Sequence, residues 1–482
     1  MWIHLRRAQV KFDKALALVA LLTVAVTKVL VEGFPVHPSA FKHVVVVGGG
    51  VGGLATACRI AAQLKDTVKV TILEKNAVVG GRCGSFSVTL DKGHQFRHER
   101  GPSLLLLPQV YQQLFLDCGT TAEQMGLHIK RCVPAYQVVF DDGARINLGF
   151  PQGHSKMCDD ELESRQIMNS FEPNGAEKWD AYMRTCEAYL DCGLPNFIEE
   201  RLDLPSFPAF IRESLRDFGK AWPLKPHSDV LDDFFVSHKM RALASFQDLY
   251  VGLEPYRNDK LFGGGVLKTT APAVFGLLSA IELHPTNIKC GVFAPVGGFG
   301  EVASSLKNLA ASLGVNIQCD TTVTKVCQDG VYHYKTGHVP NGDEKKQFLA
   351  ADMIVINADL PYATKVLLPR LFEERGPEID YSLCDRFDWA EHDNGRPKYE
   401  FSFGVIAFHW SIVGKELSDL KTHNVFLSAD TRSDAEVSWK VEGKTISDKE
   451  PFNFYVHRAT HTDHTAASKV SLLVSFDEKL SY

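Results

Sequence analysis

Three glycines near the start of the chain carry its most informative chemistry. Gly48, Gly50 and Gly53 fall in the spacing G-x-G-x-x-G, directly after the valine-rich run 43–47 and before the apolar stretch 54–64. In such a turn the first glycine allows a sharp reversal and the second lets the backbone approach a pyrophosphate. The third lets helix and strand pack closely, while the helix N-terminus offers unpaired N–H groups to an anion. A second apolar segment, residues 68–73, ends in Glu74, 21 residues beyond Gly53. A carboxylate there can accept hydrogen bonds from both ribose hydroxyls and argues against a phosphorylated ribose. This context predicts a dinucleotide site rather than a structural glycine turn.

An acidic Glu74 does not separate FAD from NAD, but the segment after it bears on the choice. Gly80-Gly81-Arg82 follows Glu74, Lys75 and Asn76 closely. The triplet resembles the glycine-doublet extension of amine-oxidase-type flavoproteins, which implies a place against a flavin diphosphate, since glycines expose backbone donors and a guanidinium pairs with phosphate; the other reading of Arg82 is a surface salt bridge. No Ser-His-Asp spacing, H-E-x-x-H or P-loop pattern is present. The 52 basic and 58 acidic residues leave a net charge of −6, which excludes a basic nucleic-acid binder. Eleven cysteines without a C-x-x-C pair speak against a disulfide framework, and the gap between Cys186 and Cys192 does not suit a zinc ribbon. No metal is expected.

The elements around these residues begin with a segment that does not read as fold. Arg6, Arg7, Lys11 and Lys14 precede the apolar run 15–26, the order of a charged n-region and an h-region. The run is shorter than the roughly 20 residues that a membrane span requires. A signal-type presequence is the favoured reading, with an uncleaved anchor as the other. Pro38-Ser39-Ala40-Phe41 resembles the boundary of plastid presequences in algae with secondary plastids. A plastid would reconcile a signal segment with unpatterned cysteines, and the secretory pathway with its ER membrane is the alternative. From Lys42 a strand–turn–helix–strand order runs to Glu74. The polar stretch 151–175 reads as a loop near a domain boundary, and residues 176–250 as mostly helical. Phe207, Phe210, Ile211, Leu215 and Phe218 share one helix face, either a core face or a surface that meets lipid or polyene. Gly263-Gly264-Gly265 predicts a flexible loop.

The run from Glu74 to Arg82 resembles the glycine-doublet extension of amine-oxidase-type flavoproteins. With further blocks from residue 42 to 474, the chain resembles the bacterial- and fungal-type phytoene desaturases and related carotene isomerases. The blocks are Gly101-Pro102-Ser103-Leu104-Leu105-Leu106-Leu107-Pro108, the segment 244–256 from Ala244-Ser245-Phe246-Gln247-Asp248 to Glu254-Pro255-Tyr256, the apolar run 271–283, and Pro295-Val296-Gly297-Gly298-Phe299-Gly300. Residues 314–317 and 322–326 read as paired strands, and 352–359 as a buried strand ending in a polar turn. Residues 422–427 and 454–458 match late blocks of the family.

The resemblance implies an α/β fold in which a Rossmann-like FAD-binding domain interleaves with a mixed α+β substrate domain carrying helical, membrane-facing elements. The expected division is a targeting segment at 1–41, a discontinuous FAD domain at 42–110 and 290–372, and a substrate and membrane-associating domain at 111–289 and 373–482. FAD would be held by Gly48, Gly50, Gly53, Glu74, Lys75, Gly80, Gly81, Arg82, Val323 and Asn357. Expected partners are an apolar carotenoid polyene, a peripheral membrane surface and an electron acceptor, oxygen or a quinone. Catalytic assignment stays open: Arg241, Glu254, Glu282 and Glu99 are the candidates, and the favoured reading of each is a structural ion pair. The reaction expected first is desaturation of phytoene or a related carotene. Flavin-dependent cis–trans isomerisation without net oxidation and a non-catalytic flavin- or carotenoid-binding scaffold are the alternatives. NAD-dependent chemistry is a weaker competitor. Three departures stand out: His98-Glu99-Arg100 where the family has Asp-Thr, an extra segment at 257–270, and a chain that stops at Tyr482 before the family's C-terminal glycine-rich segment and reads as truncated.

Overall fold

The computed structural model describes residues 42–90, 93, 95–151, 157–194, 223, 225–251, 271–283, 291–337, 346–368, 406–411, 419–439, 452–458 and 467–472. The expected presequence, the Phe207–Phe218 face, the Gly263 triplet, Glu254 and the segment 257–270 lie outside the described residues.

A run of β-branched residues buried on both faces belongs in the middle of a parallel sheet. His43–Val47 takes that place, hydrogen-bonded in parallel to Met353–Ile356 on one side and Lys69–Leu73 on the other, with Asn316–Gln318 beyond the latter. Its side chains alternate between the two faces. Val44 and Val46 meet Leu54, Ala57 and Cys58 of the helix Val51–Leu64 and Leu306 and Leu309 of the helix Gly300–Ser312. Val45 and Val47 meet Val323, Val326 and Val331, from a three-stranded antiparallel sheet of Thr321–Cys327, Gly330–Lys335 and Gln347–Ala350.

A six-stranded sheet forms the second region, in the order Ile406–Ser411, Ala467–Leu472, Phe454–Arg458, His423–Leu427, Tyr136–Phe140, Arg145–Leu148. Its neighbours are antiparallel except His423–Leu427 and Tyr136–Phe140, which run parallel and join segments far apart in sequence. Helices Asp159–Phe171, Gly175–Gly193, His227–Phe234, His238–Ser245 and Leu277–Leu283 supply the apolar residues that pack with this sheet. The antiparallel pair Ile129–Arg131 and Phe293–Pro295, with the bridge between Leu105 and Phe293, connects chain segments of the two regions. Among the described residues, no helix is long and apolar enough to cross a membrane.

Three expectations need correction. Residues 314–317 and 322–326 do not pair with each other: Asn316–Gln318 extends the parallel sheet, the chain turns through Asp320 at φ +50°, and Thr321–Cys327 pairs with Gly330–Lys335. The stretch 151–175 contains the helix Asp159–Phe171; Asp159, Asp160 and Glu161 favour its N-terminus electrostatically, and Ser164 and Met168 are buried. Met353–Ile356 is an edge strand, half-buried rather than buried. Phe115, Ala122 and Leu127 also pack into the core of the parallel sheet.

Candidate functional site

At the end of the first strand, Gly48 adopts φ +102° and donates its N–H to the Leu73 carbonyl at 2.9 Å, fixing the reversal beside the second strand. A Cβ on Gly53 would lie 2.1 Å from the Gly48 oxygen, so helix and strand pack at a distance only glycine permits. Gly50 differs. A Cβ there would meet only the Asn357 amide nitrogen, at 3.3 Å. The second glycine therefore faces open space at the N-terminus of the helix Val51–Leu64, the cradle that a pyrophosphate requires.

Glu74 ends the second strand, is 4% exposed, and is already engaged. One carboxylate oxygen accepts from the Gly49 N–H at 2.7 Å; the other accepts from the backbone and side-chain nitrogens of Asn76, at 2.9 and 2.7 Å. A carboxylate offers about four lone-pair positions, so one remains, and the Asn76 side chain can yield a second to a ribose hydroxyl. Asn76 was not singled out from the sequence. An Asn two residues after a strand-ending acid, able to turn its side chain back on that acid, is the available signal.

Gly80, at φ +116°, donates its N–H to the Gly49 carbonyl at 2.8 Å, and a Cβ on Gly81 would lie 3.3 Å from the Gly50 Cα. The doublet thus lies directly against the glycine loop, as its phosphate-facing reading requires. Arg82 is exposed at the rim and pairs with Asp359 at 2.6 Å, a partner that the sequence reading did not foresee. Asn357 completes the loop: its N–H donates to the Val47 carbonyl at 2.8 Å, and its amide lies across the glycines, 3.5 Å from the Gly48 oxygen. Val323 is buried, two residues beyond Thr321, whose N–H donates to the Glu74 carbonyl at 2.8 Å. Lys75 separates from this group. Its ammonium sits 5.8 Å from the Tyr362 ring centre, and its carbonyl accepts from the Thr336 hydroxyl.

The catalytic candidates do not converge. Glu99 accepts from the Gly300 N–H at 3.0 Å and caps a helix start, with Arg97 bound to Glu301 beside it at 2.7 Å. Arg241 is held by the Phe235 carbonyl at 3.1 Å and Asp232 at 2.9 Å, a structural ion pair. Glu282 is wholly buried in the second region, and burial pushes its carboxyl up to about 8.

Two buried polar groupings were missed from sequence. His227 joins Asp248 at 2.6 Å and Tyr182 at 2.9 Å, and the Tyr182 hydroxyl donates to the Ala244 carbonyl at 2.8 Å. Tyr455 joins His423 at 2.5 Å and Ser103 at 3.1 Å. Among the described residues, no three His, Cys, Asp or Glu side chains are placed to hold a metal ion. Among the described residues no disulfide joins the cysteines; burial pushes Cys58 and Cys132 up to about 12 and Cys83 to about 11, which makes them poor nucleophiles.

A parallel sheet ending in a glycine loop, with an acid at the second strand's tip, defines a dinucleotide-binding α/β protein. In agreement, residues 46–117 match the NAD(P)-binding Rossmann-like domain family. Over most of its length the chain is similar to named desaturases. It is 29% identical to the phytoene desaturase of Neurospora crassa over 399 residues, 81% of this chain and 58% of that protein. It is 30% identical to the phytoene desaturase of Cercospora nicotianae over 401 residues, 82% and 55%. With the zeta-carotene-forming phytoene desaturase of Myxococcus xanthus it shares 29% over 332 residues, 68% and 55%. The chain is thus similar to phytoene desaturases, and the matches span less than two thirds of each of these relatives' length.

Proposed function

We propose that the protein is an FAD-dependent carotenoid oxidoreductase that desaturates phytoene or a related carotene. The observation that carries this reading is the glycine loop with the Gly80-Gly81 backbone packed against its open second glycine, in a chain similar to desaturases over about four fifths of its length. The doublet and Arg82 add a second diphosphate-binding surface to the loop, which favours FAD over NAD at a site whose Glu74 suits an unphosphorylated ribose.

The residues divide the work. Gly50 and the helix N-terminus take the diphosphate, Arg82 offsets its charge at the rim, Glu74 with Asn76 orients the ribose, and Asn357 holds the loop from the far side. Bound flavin would supply a two-electron acceptor for a substrate that has no polar handle. The protein's contribution to that chemistry is orientation and exclusion of water. The substrate is dissolved in lipid, so peripheral contact with a membrane and transfer of electrons to oxygen or a quinone follow from this reading. Delivery to a plastid by the segment 1–41 agrees with described cysteines that form no disulfide with one another.

The test begins with the absorption spectrum of the purified chain after incubation with FAD and removal of free cofactor. Stoichiometric retention then justifies incubation with phytoene and a quinone. Product lighter by two hydrogens per new double bond is expected; product of unchanged mass would identify isomerisation, and flavin binding without turnover would identify a scaffold. Retention of NAD with exclusion of FAD would overturn the cofactor assignment.

A further inference from the structure

An acid without a partner inside an apolar core demands an explanation, because buried polar groups are almost always hydrogen-bonded. Glu282 is 0% exposed on the helix Leu277–Leu283, and neither carboxyl oxygen meets a partner in hydrogen-bond geometry. Tyr136 and Gln247 lie close enough for a side-chain hydrogen-bonding interaction that lowers its proton affinity, though neither makes a well-formed bond, and burial outweighs them. Gln247, 1% exposed, likewise has both amide atoms unpartnered. The orphaned oxygens and amide atoms of these neighbouring side chains are what a buried water needs, two to four polar partners in a closed site. Among the described residues, no cation acts on Glu282. Tyr455, itself raised by burial and by Glu282, stands on one side with His423 and Cys132. Asp248, next to Gln247, is committed to His227, and Arg131 lies over the Phe293 ring. An ionised carboxylate here would be an uncompensated charge.

A route leads from this site toward the cofactor loop. The Tyr136 ring lies 5.9 Å from the His423 ring, His423 is bonded to Tyr455, and the Tyr455 hydroxyl donates to Ser103 at 3.1 Å. Two residues earlier, Gly101 packs so closely on Arg82 that a Cβ would lie 2.2 Å from the Arg82 carbonyl oxygen. We propose that Glu282 is a buried proton-holding site, hydrated where it faces Gln247, and that its ionisation loosens residues 101–108 from Arg82 and thereby weakens dinucleotide binding. The first half stands alone; the second rests on the FAD reading above. When the proton leaves, the carboxylate draws on the donors around it, and its charge acts on Tyr455, the hydroxyl that holds Ser103.

The sign follows from the raised proton affinity. Glu282 holds its proton up to about pH 8 when folded against 4.5 ordinarily, so its stabilising effect is complete below pH 4.5 and is lost as pH rises to about 8. Over that interval the unfolding constant should rise by up to about tenfold per pH unit. The experiment follows unfolding and FAD dissociation of the full chain from about pH 6 to about pH 9, in the parent, Glu282→Gln and Tyr455→Phe. Expected are a stability slope in the parent and Tyr455→Phe that is absent from Glu282→Gln, and a flavin-affinity slope in the parent alone. A stability slope unchanged in Glu282→Gln overturns the proton site. A flavin slope that survives in Tyr455→Phe overturns the coupling. A parent that binds no FAD at any pH overturns the cofactor reading, and with it the coupling, while the stability slope still decides the proton site. Should Glu282→Gln not fold, infrared spectra of the parent decide instead: a protonated-carboxyl band at neutral pH that disappears above pH 8 supports the site, and its absence at neutral pH overturns it. A crystal structure showing direct Glu282–Gln247 contact without water overturns the hydration.

Discussion

The glycine loop and the buried polar core of the six-stranded region solve opposite problems. In the loop, residues close in sequence are close in space: Gly48 to Arg82 need one distant partner strand, which brings Asn357 and Asp359. In the core, contacts join residues 352 positions apart, as with Ser103 and Tyr455, or span several helices, as with Tyr182, His227 and Asp248. The loop leaves its second glycine open, while the core closes the Tyr182–His227–Asp248 and Ser103–Tyr455–His423 groups on one another. A site built to receive something therefore leaves a local pattern of small residues, and a site built to hold itself together need not.

Two glycine substitutions give the largest expected effects and separate reception from packing. Gly50→Val meets little protein, only the Asn357 amide at 3.3 Å, and so should abolish flavin retention while leaving the melting temperature near that of the parent. Gly53→Ala pushes a Cβ to 2.1 Å from a backbone oxygen and should instead destabilise the fold, by about 1–3 kcal/mol, as overpacking does. Spectra and denaturant melts of the two proteins check this. Normal flavin content in Gly50→Val would remove the pyrophosphate from the loop altogether.

The same contrast explains what the sequence disclosed. The parallel strand His43–Val47, the helix after it and the strand ending at Glu74 were readable because each has its own periodicity and the glycines punctuate them. The helix Asp159–Phe171 was not, because its polar composition hides a narrow buried face, Ser164 and Met168. Nor was the partner of Asn316–Gln318, since three residues can be assigned to a sheet only by what lies beside them. At the site, Gly48, Gly50, Gly53, Glu74, Gly80 and Gly81 assemble as expected, whereas Lys75 sits over Tyr362. Asn76 and Asp359 became visible only when the chain was folded, because their importance lies in the atom each one faces.

Within the closed core, Tyr182→Phe removes a hydroxyl that bridges His227 and the Ala244 carbonyl without opening a cavity. It should cost about 1–3 kcal/mol of stability, the penalty for leaving buried groups unsatisfied. Flavin affinity should be unaffected, and a loss of affinity would tie this grouping to the cofactor region. At the open site, Glu74→Ala should weaken FAD by about 1–3 kcal/mol, and Glu74→Gln by less, because an amide oxygen still accepts from the Gly49 N–H. Equal losses in the two variants, measured by titration, would show that charge rather than acceptor geometry governs the ribose contact.

The smallest expected effect on stability lies where the two regions differ most in exposure. Arg82 and Asp359 form a short ion pair at the rim, with side chains 88% and 50% exposed. Solvent screens such a pair and the side chains lose entropy in forming it, so Arg82→Ala should change stability by about 0–1 kcal/mol. Flavin affinity should fall further than stability if, as proposed, the same guanidinium meets the diphosphate. That loss should shrink as salt is added, which binding through backbone donors alone would not do. Asp359→Asn supplies the opposite sign: it frees Arg82 from a competing anion, so FAD should bind slightly more tightly, and a weaker affinity would mean that Asp359 positions Arg82 rather than competes for it.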